Sequence, residues 1–221
     1  MMSGYSLFHA HFPPAFTDVR PYIWNGFATN LHYTYITRLA KGTDLSASYD
    51  PQVRRQIKKG EQLKHSFLAE DSRDLIISAW ELEQKSYQRQ RLDMRYAPKE
   101  SFASFIGSLA GREAAKTYTV IFQDRAVASQ IVILDQAKST AYYWLAGADR
   151  DYLSTGLNQL LLHGVLVNLQ ELGYQSFDFV GAGTESIAKY KSTYNFPLVP
   201  MFSVSKAKGL ASAGLMLKKL F

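Results

Sequence analysis

The order of elements written into this sequence predicts a mixed α+β (α/β) fold: a mostly antiparallel, twisted sheet flanked by helices, with one parallel β-α-β crossover. Three observations carry that expectation. Stretches 116–123, 125–134 and 139–146 are rich in β-branched and aromatic residues and are separated only by the turn-like Gln123-Asp124-Arg125 and Asp135–Lys138, which makes an antiparallel meander. The helix with the strongest apolar pattern, 156–172, stands between strand 139–146 and a short buried strand, 175–180, and such a connection returns its second strand parallel to the first. Finally, 221 residues with 47% hydrophobic and 20% charged side chains can bury one sizeable core, and no repeat, low-complexity tract or linker divides them. One unit spanning 1–221 is therefore expected.

Residues 1–30, ending in Pro21–Phe27, are expected to be irregular. Leu31–Leu39 nearly alternates β-branched and aromatic residues with polar ones and reads as a strand. Asp50 followed by Pro51 is a helix start, and the helix carries Arg54, Arg55, Lys58 and Lys59 until Gly60 stops it. Lys64–Ala69 is a short strand. Asp71 or Ser72 then caps a long helix with Leu75, Ile76, Ala79, Trp80, Leu82 and Glu83 at helical spacing, and Pro98 opens another carrying Phe102, Phe105, Ile106 and Leu109. After the meander, Ser154 or Thr155 caps helix 156–172, which Gly173 closes. A short helix over 184–191, a strand over 198–205 and an amphipathic helix over 209–221 complete the chain.

Composition excludes several classes of function. With no Cys there is no disulfide, thiolate metal site or Cys nucleophile. No run approaches the roughly 18 apolar residues of a membrane span, and the N-terminus lacks the pattern of a secretion signal, so a cytoplasmic protein is expected. His9, His11, His32, His65 and His163 show no metal-ligand spacing beyond His9-x-His11, and His163 sits in the apolar part of a helix, as a packed core histidine does. The formal charge of +6 favours anionic partners such as phosphates, nucleotides or RNA without requiring them; no DNA partner is expected. Oligomeric state is not legible.

Certain words in a fixed order resemble a known family. Trp24-Asn25-Gly26-Phe27 with Tyr33-Thr34-Tyr35, then Arg54–Lys59, then Ala141–Ala148, Leu153–Asn158, Glu171–Tyr174, Phe177–Gly181, and Tyr190-Lys191 with Tyr194 resemble the FemAB-like, GNAT-related acyltransferases over most of residues 20–206, above all their C-terminal half. The resemblance implies a GNAT-like fold and transfer of an acyl or aminoacyl group to an amine, a small molecule or a cell-wall precursor. It implies acyl-CoA as co-substrate and no tightly bound cofactor. Aminoacyl-tRNA is the other donor used by such proteins, but a paired helical arm with basic faces is not evident between the strands. The chain departs from the family in two respects. Members often contain two GNAT-like halves, whereas this length corresponds to one and an N-terminal remnant. Asp151–Asn158 also stands where an acetyl-CoA enzyme has a glycine-rich phosphate loop.

Each candidate residue admits a structural reading beside the functional one. Ser154, Thr155, Gly156, Leu157 and Asn158 open a helix whose free N–H groups suit a donor phosphate, or they merely cap it. Arg54, Arg55, Lys58 and Lys59 either grip an anionic substrate or form a solvated face. Lys191 matches a family lysine that approaches the donor phosphate or the reacting centre, and it would stabilise charge rather than act as base; otherwise it is an exposed helix lysine like Lys189. Asp178, at the end of a central strand, can accept the amine proton or make a structural hydrogen bond, with Glu185 a second acid nearby. Trp24, Tyr142, Trp144 and Tyr190 are candidates for an acceptor groove, although strand aromatics also build cores. Alternation sends Tyr142 and Trp144 to one face and Tyr143 to the other. A different class of function stays open: a degenerate, non-catalytic module that binds an anionic ligand or a protein partner.

Overall fold

The computed structural model describes residues 7–90 and 97–207. They form one open sheet of eight strands: β1 (Leu7–His11), β2 (Ala28–Arg38), β3 (His65–Ala69), β4 (Ala115–Phe122), β5 (Arg125–Asp135), β6 (Thr140–Ala148), β7 (Ser176–Asp178) and β8 (Leu198–Ala207), in the order β1-β8-β2-β7-β6-β5-β4-β3. The meander β4-β5-β6 is antiparallel as expected, and β7 runs parallel to β6. All other strand pairs are antiparallel.

The flanking helices are α1 (Arg20–Trp24), α2 (Pro51–Glu61), α3 (Arg73–Arg89), α4 (Lys99–Ala110), α5 (Leu157–Glu171) and α6 (Glu185–Ser192). Helices α2 and α5 cover one face through Val53, Ile57, Leu161, Leu162, Val165 and Leu169, packed on Val132, Ala141 and Phe177. Helices α3 and α4 cover the other through Ile76, Ala79, Phe102 and Ile106, packed on Ile131 and Leu145. At about 25 cal/mol per Å2 of apolar surface removed from water, these two layers are the main force holding the sheet.

Several expectations are corrected. Residues 7–30 are not an irregular segment: β1 pairs with β8, and the ring contacts Phe8–Phe27 and Phe12–Tyr22 seat α1 and its flanks. Asp50 precedes α2 without capping it through its side chain; its carboxylate accepts from Asn195 Nδ2 at 2.8 Å. Ser72, not Asp71, caps α3, because the Asp71 carboxylate accepts from the Thr117 N–H at 2.7 Å. Gly60 does not end α2. It lets α2 approach α5, where a Cβ on Gly60 would lie 3.1 Å from the Gly156 carbonyl oxygen. The helix expected over 209–221 lies outside the described residues.

The β4–β5 ladder shifts register between Val120 and Ile121, and the β5–β6 ladder shifts between Ile131 and Val132. Ile131 faces Leu145 and Val132 faces Tyr143, so Trp144 is the extra residue of a β-bulge. Tyr143 therefore packs towards the α5 core, while Trp144 stacks on Phe102 of α4 with centroids 5.7 Å apart, and Leu145 joins the same α4-side cluster.

Candidate active site

Strands β6 and β7 are paired only through Thr140–Ser176, Ala141–Phe177 and Tyr142–Asp178. Beyond these three pairs β7 ends and the chain turns away, with Val180 at φ 51° and Gly181 at φ 89°. β6 continues alone to Ala148, so its edge over 145–148 has no strand beside it on that side. A cleft of about 420 Å3 occupies the opening, walled by Glu83 of α3, Tyr143, Gly147 and Ala148 of β6, Asn158 of α5, and Tyr190 and Lys191 of α6.

Glu83 lies on the buried stripe Ile76–Ala79–Glu83–Ser86 of α3. A Cβ on Gly147 would come within 2.3 Å of the Glu83 backbone nitrogen, so only glycine lets α3 lie this close to β6. Among the described residues no hydrogen bond or ion pair reaches the Glu83 carboxyl. Burial pushes its pKa up to about 7, with the Arg89 charge a smaller opposing influence. It is therefore a carboxyl that can take or give a proton near neutrality.

The opposite wall is built by Lys191 and Tyr190, with Tyr194 buried behind. Lys191 is only 5% exposed, and its Nζ donates to the carbonyls of Phe179 at 2.5 Å and Gly181 at 2.8 Å, tying down the turn that follows β7. The exposed-lysine reading thus holds for Lys189 and not for Lys191. Burial pulls the Lys191 pKa down to about 8, partly opposed by the Asp178 charge. The Tyr190 hydroxyl lies 3.3 Å from both Asn158 Nδ2 and the Tyr194 hydroxyl, and burial raises its pKa, so the phenol keeps its proton.

A stability prediction follows from the Lys191 contacts. Lys191→Met is expected to cost about 2 kcal/mol at pH 7, because two buried carbonyls lose their donor. In the wild type the folded state releases the Lys191 proton near pH 8, below the ordinary lysine value of 10.5 at which the unfolded chain does so. Between these pH values the unfolded state holds more protons, so wild-type stability gains from rising pH. Denaturant unfolding at pH 7 and pH 10 should show that gain shrink in the variant; equal gains would remove Lys191 as its source.

The other candidates are distributed as follows. Trp144 and Asn158 line the same cleft as Lys191 and Tyr190. Asp178 and Tyr142 line a second cavity instead. Gly156 and Leu157 are buried, and Gly156, in the left-handed conformation at φ 85°, is the residue before α5. The Thr155 hydroxyl donates to the Tyr152 carbonyl and accepts from the Leu157 N–H, while the Ser154 carbonyl takes a hydrogen bond from Lys59 Nζ. Arg54 donates to the carbonyls of Ala47 and Tyr49; Arg55 and Lys58 are exposed, and none of the three lines either cavity. Trp24 is 76% exposed beside the Arg20 guanidinium and also lines neither. Glu185 is exposed, and His163 packs edge-on against Tyr49. Among the described residues no group of three His, Asp or Glu could hold a metal ion, and no helix is long and apolar enough to cross a membrane.

Glu83 was missed as a site residue, although the sequence carried a signal for it. An acid stood at a position that helical spacing assigned to the buried face.

The profile of the family described as Acetyltransferase (GNAT) domain matches residues 47–192. No curated protein matches the chain by sequence. Among solved structures, FemX superposes with a TM-score of 0.66 at 12% identity, covering 77% of this chain and 61% of that one. The C-terminal domain of a putative lysylphosphatidylglycerol synthetase from Agrobacterium fabrum gives 0.65 at 15% identity, covering 90% and 67%. L-PGS from Bacillus licheniformis gives 0.63 at 12%, covering 92% and 69%. The chain thus spans about three fifths to two thirds of the structures it resembles, and at these identities the likeness is one of fold.

Proposed function

The chain belongs to the GNAT acetyltransferase domain family, and from that premise we propose that it is an N-acyltransferase whose reaction centre is the cleft between β6 and β7. The observation that carries this reading is the buried Glu83 carboxyl, unpaired among the described residues, facing the strandless edge of β6. Acyl transfer to an amine needs three things: a place for the oxyanion, a base for the ammonium proton, and an acid for the leaving group.

In this reading the donor is acyl-CoA, laid along residues 145–148 so that backbone N–H groups donate to its carbonyl oxygen. Its phosphates lie towards Leu153–Asn158, where the positive end of α5 favours anions. The amine gives its proton to Glu83 and attacks the carbonyl carbon. The C–N bond forms, the C–S bond breaks, the Tyr190 hydroxyl protonates the departing thiolate, and the proton shed by the acylated nitrogen returns Tyr190 to its phenol. Lys191 is a positioning residue that holds the 179–181 turn and keeps positive charge in the cleft.

The test is release of free CoA thiol from a panel of acyl-CoAs, with and without primary amines, at pH 8. Release that depends on both donor and amine is the expected result. No release from any acyl-CoA, with aminoacyl-tRNA deacylated instead, would replace the donor; silence with both would leave a non-catalytic module.

A further inference from the structure

A second cavity, of about 850 Å3, lies between β2, β7, β8 and residues 11–15, a volume ordinary for a small-molecule site. Its walls are mainly apolar, supplied by Phe12, Leu31, Ile36, Tyr142 and Met201. Among the described residues Asp178 is the one carboxylate in its lining, which also includes His11 and His32, and Val180 borders both this cavity and the reaction cleft.

The state of Asp178 decides what the chamber can hold. The residue is 8% exposed. Its Oδ1 accepts from the Thr34 hydroxyl at 2.5 Å and from the Val180 N–H at 2.7 Å, and Thr34 Oγ1 accepts in turn from the Gly181 N–H at 3.1 Å. Oδ2 accepts no hydrogen bond from any described residue. No described cation makes an ion pair with it either: Lys191, whose charge it feels, directs its Nζ to two carbonyls. A carboxylate with one oxygen unpaired in an apolar chamber is strongly stabilised by an incoming cation that can donate a hydrogen bond.

We propose that this chamber binds the acceptor as a primary ammonium ion on an apolar stem, with the stem against Leu31, Ile36 and Met201 and the ammonium against Asp178 Oδ2. As an acceptor site it rests on the reading that the adjoining cleft transfers an acyl group to an amine. Val180, shared by both cavities, sets the ammonium end next to that cleft. The chamber selects against carboxylates by charge, and against neutral alcohols because they leave Asp178 without a counter-ion.

Hexylamine and 1-hexanol, alike in stem and size, separate charge from apolar fit. Each is titrated calorimetrically into the full chain, as wild type, Asp178→Asn and Met201→Trp. The wild type is expected to bind hexylammonium about tenfold or more tighter than hexanol. Asp178→Asn, which keeps an acceptor for Thr34 and Val180, should erase that preference while leaving hexanol binding in place, and Met201→Trp should weaken both. Equal affinities in the wild type, or a preference that survives Asp178→Asn, would overturn the proposal. If Asp178→Asn does not fold, the wild-type preference and its response to Met201→Trp still decide it. Preference without transfer from either acyl-CoA or aminoacyl-tRNA would sink the N-acyltransferase reading and leave an amine site; amine-dependent transfer without preference would sink only the chamber.

Discussion

Glu83→Gln is expected to reduce amine-dependent acyl transfer by about 10²- to 10⁴-fold, the usual contribution of a positioned general base, and at the same time to make the protein more stable at pH 8. The two effects have one cause. Burial raises the Glu83 pKa from 4.5 to about 7, so the folded state holds a proton that the unfolded chain has released over that interval. Stability is then lost as pH rises through about 7, where the buried carboxyl must ionise without a partner. Glutamine keeps the shape and never ionises. The variant should therefore exceed the wild type at pH 8 by roughly 3 to 3.5 kcal/mol, converting the shift at about 1.4 kcal/mol per pH unit, and should match it near pH 4. Urea unfolding at both pH values, with the pH profile of CoA release, checks this. The wild-type profile should rise with deprotonation near pH 7 and the residual activity of Glu83→Gln should lack that limb; a limb retained in the variant would assign the base elsewhere.

Gly156→Ala is expected to be the most damaging single methyl in the described chain. Gly156 has φ 85°, and an added Cβ would sit 1.9 Å from the Gln56 carbonyl oxygen and 2.8 Å from its carbon. Two penalties add: a left-handed backbone for a residue with Cβ, and overlap with a helix backbone that cannot rotate aside. Together they amount to about 3 kcal/mol or more, a fall of about 10 °C in Tm for a chain this long. Gly173→Ala supplies the control, since Gly173 has φ 88° with nothing within 4 Å of the added methyl; strain alone should cost about 1 to 2 kcal/mol. Thermal unfolding of both variants decides the point. Equal losses would mean that α2 and α5 move apart at little cost and that their contact through Gly60 and Gly156 is not tight.

The elements from β2 onward and the pairing of β4, β5, β6 and β7 were legible because they rest on local chemistry, whereas β1, α1 and the pairing of β8 with β1 and β2 were not. Period-2 alternation marked 116–123, 125–134 and 139–146; Gly173 marked the end of α5; the helix between 139–146 and 175–180 required the parallel pair that Thr140–Tyr142 and Ser176–Asp178 make. The positions of Lys191, Tyr190, Trp144 and Asn158 on one cleft followed from that topology, since all lie near the strand ends where β6 and β7 part.

What the sequence by itself determined, then, is most of the elements from Leu31 onward and their order, including the single parallel crossover, because each depends on residues close together in the chain. Only the tertiary structure decided which polar groups lose water and which helices touch. In sequence Asp178 read as a candidate proton acceptor and Glu83 only as an acid on the helical stripe of α3. Their surroundings differ because α3 presses on Gly147 and because Thr34, 144 residues away, takes up one oxygen of Asp178. The basic residues 54, 55 and 58 admitted a reading as a grip on an anionic substrate, but α2 directs its apolar face to α5 and leaves those cations outside both cavities. Desolvation and close backbone approach are sums over distant neighbours, and local pattern carries no record of them.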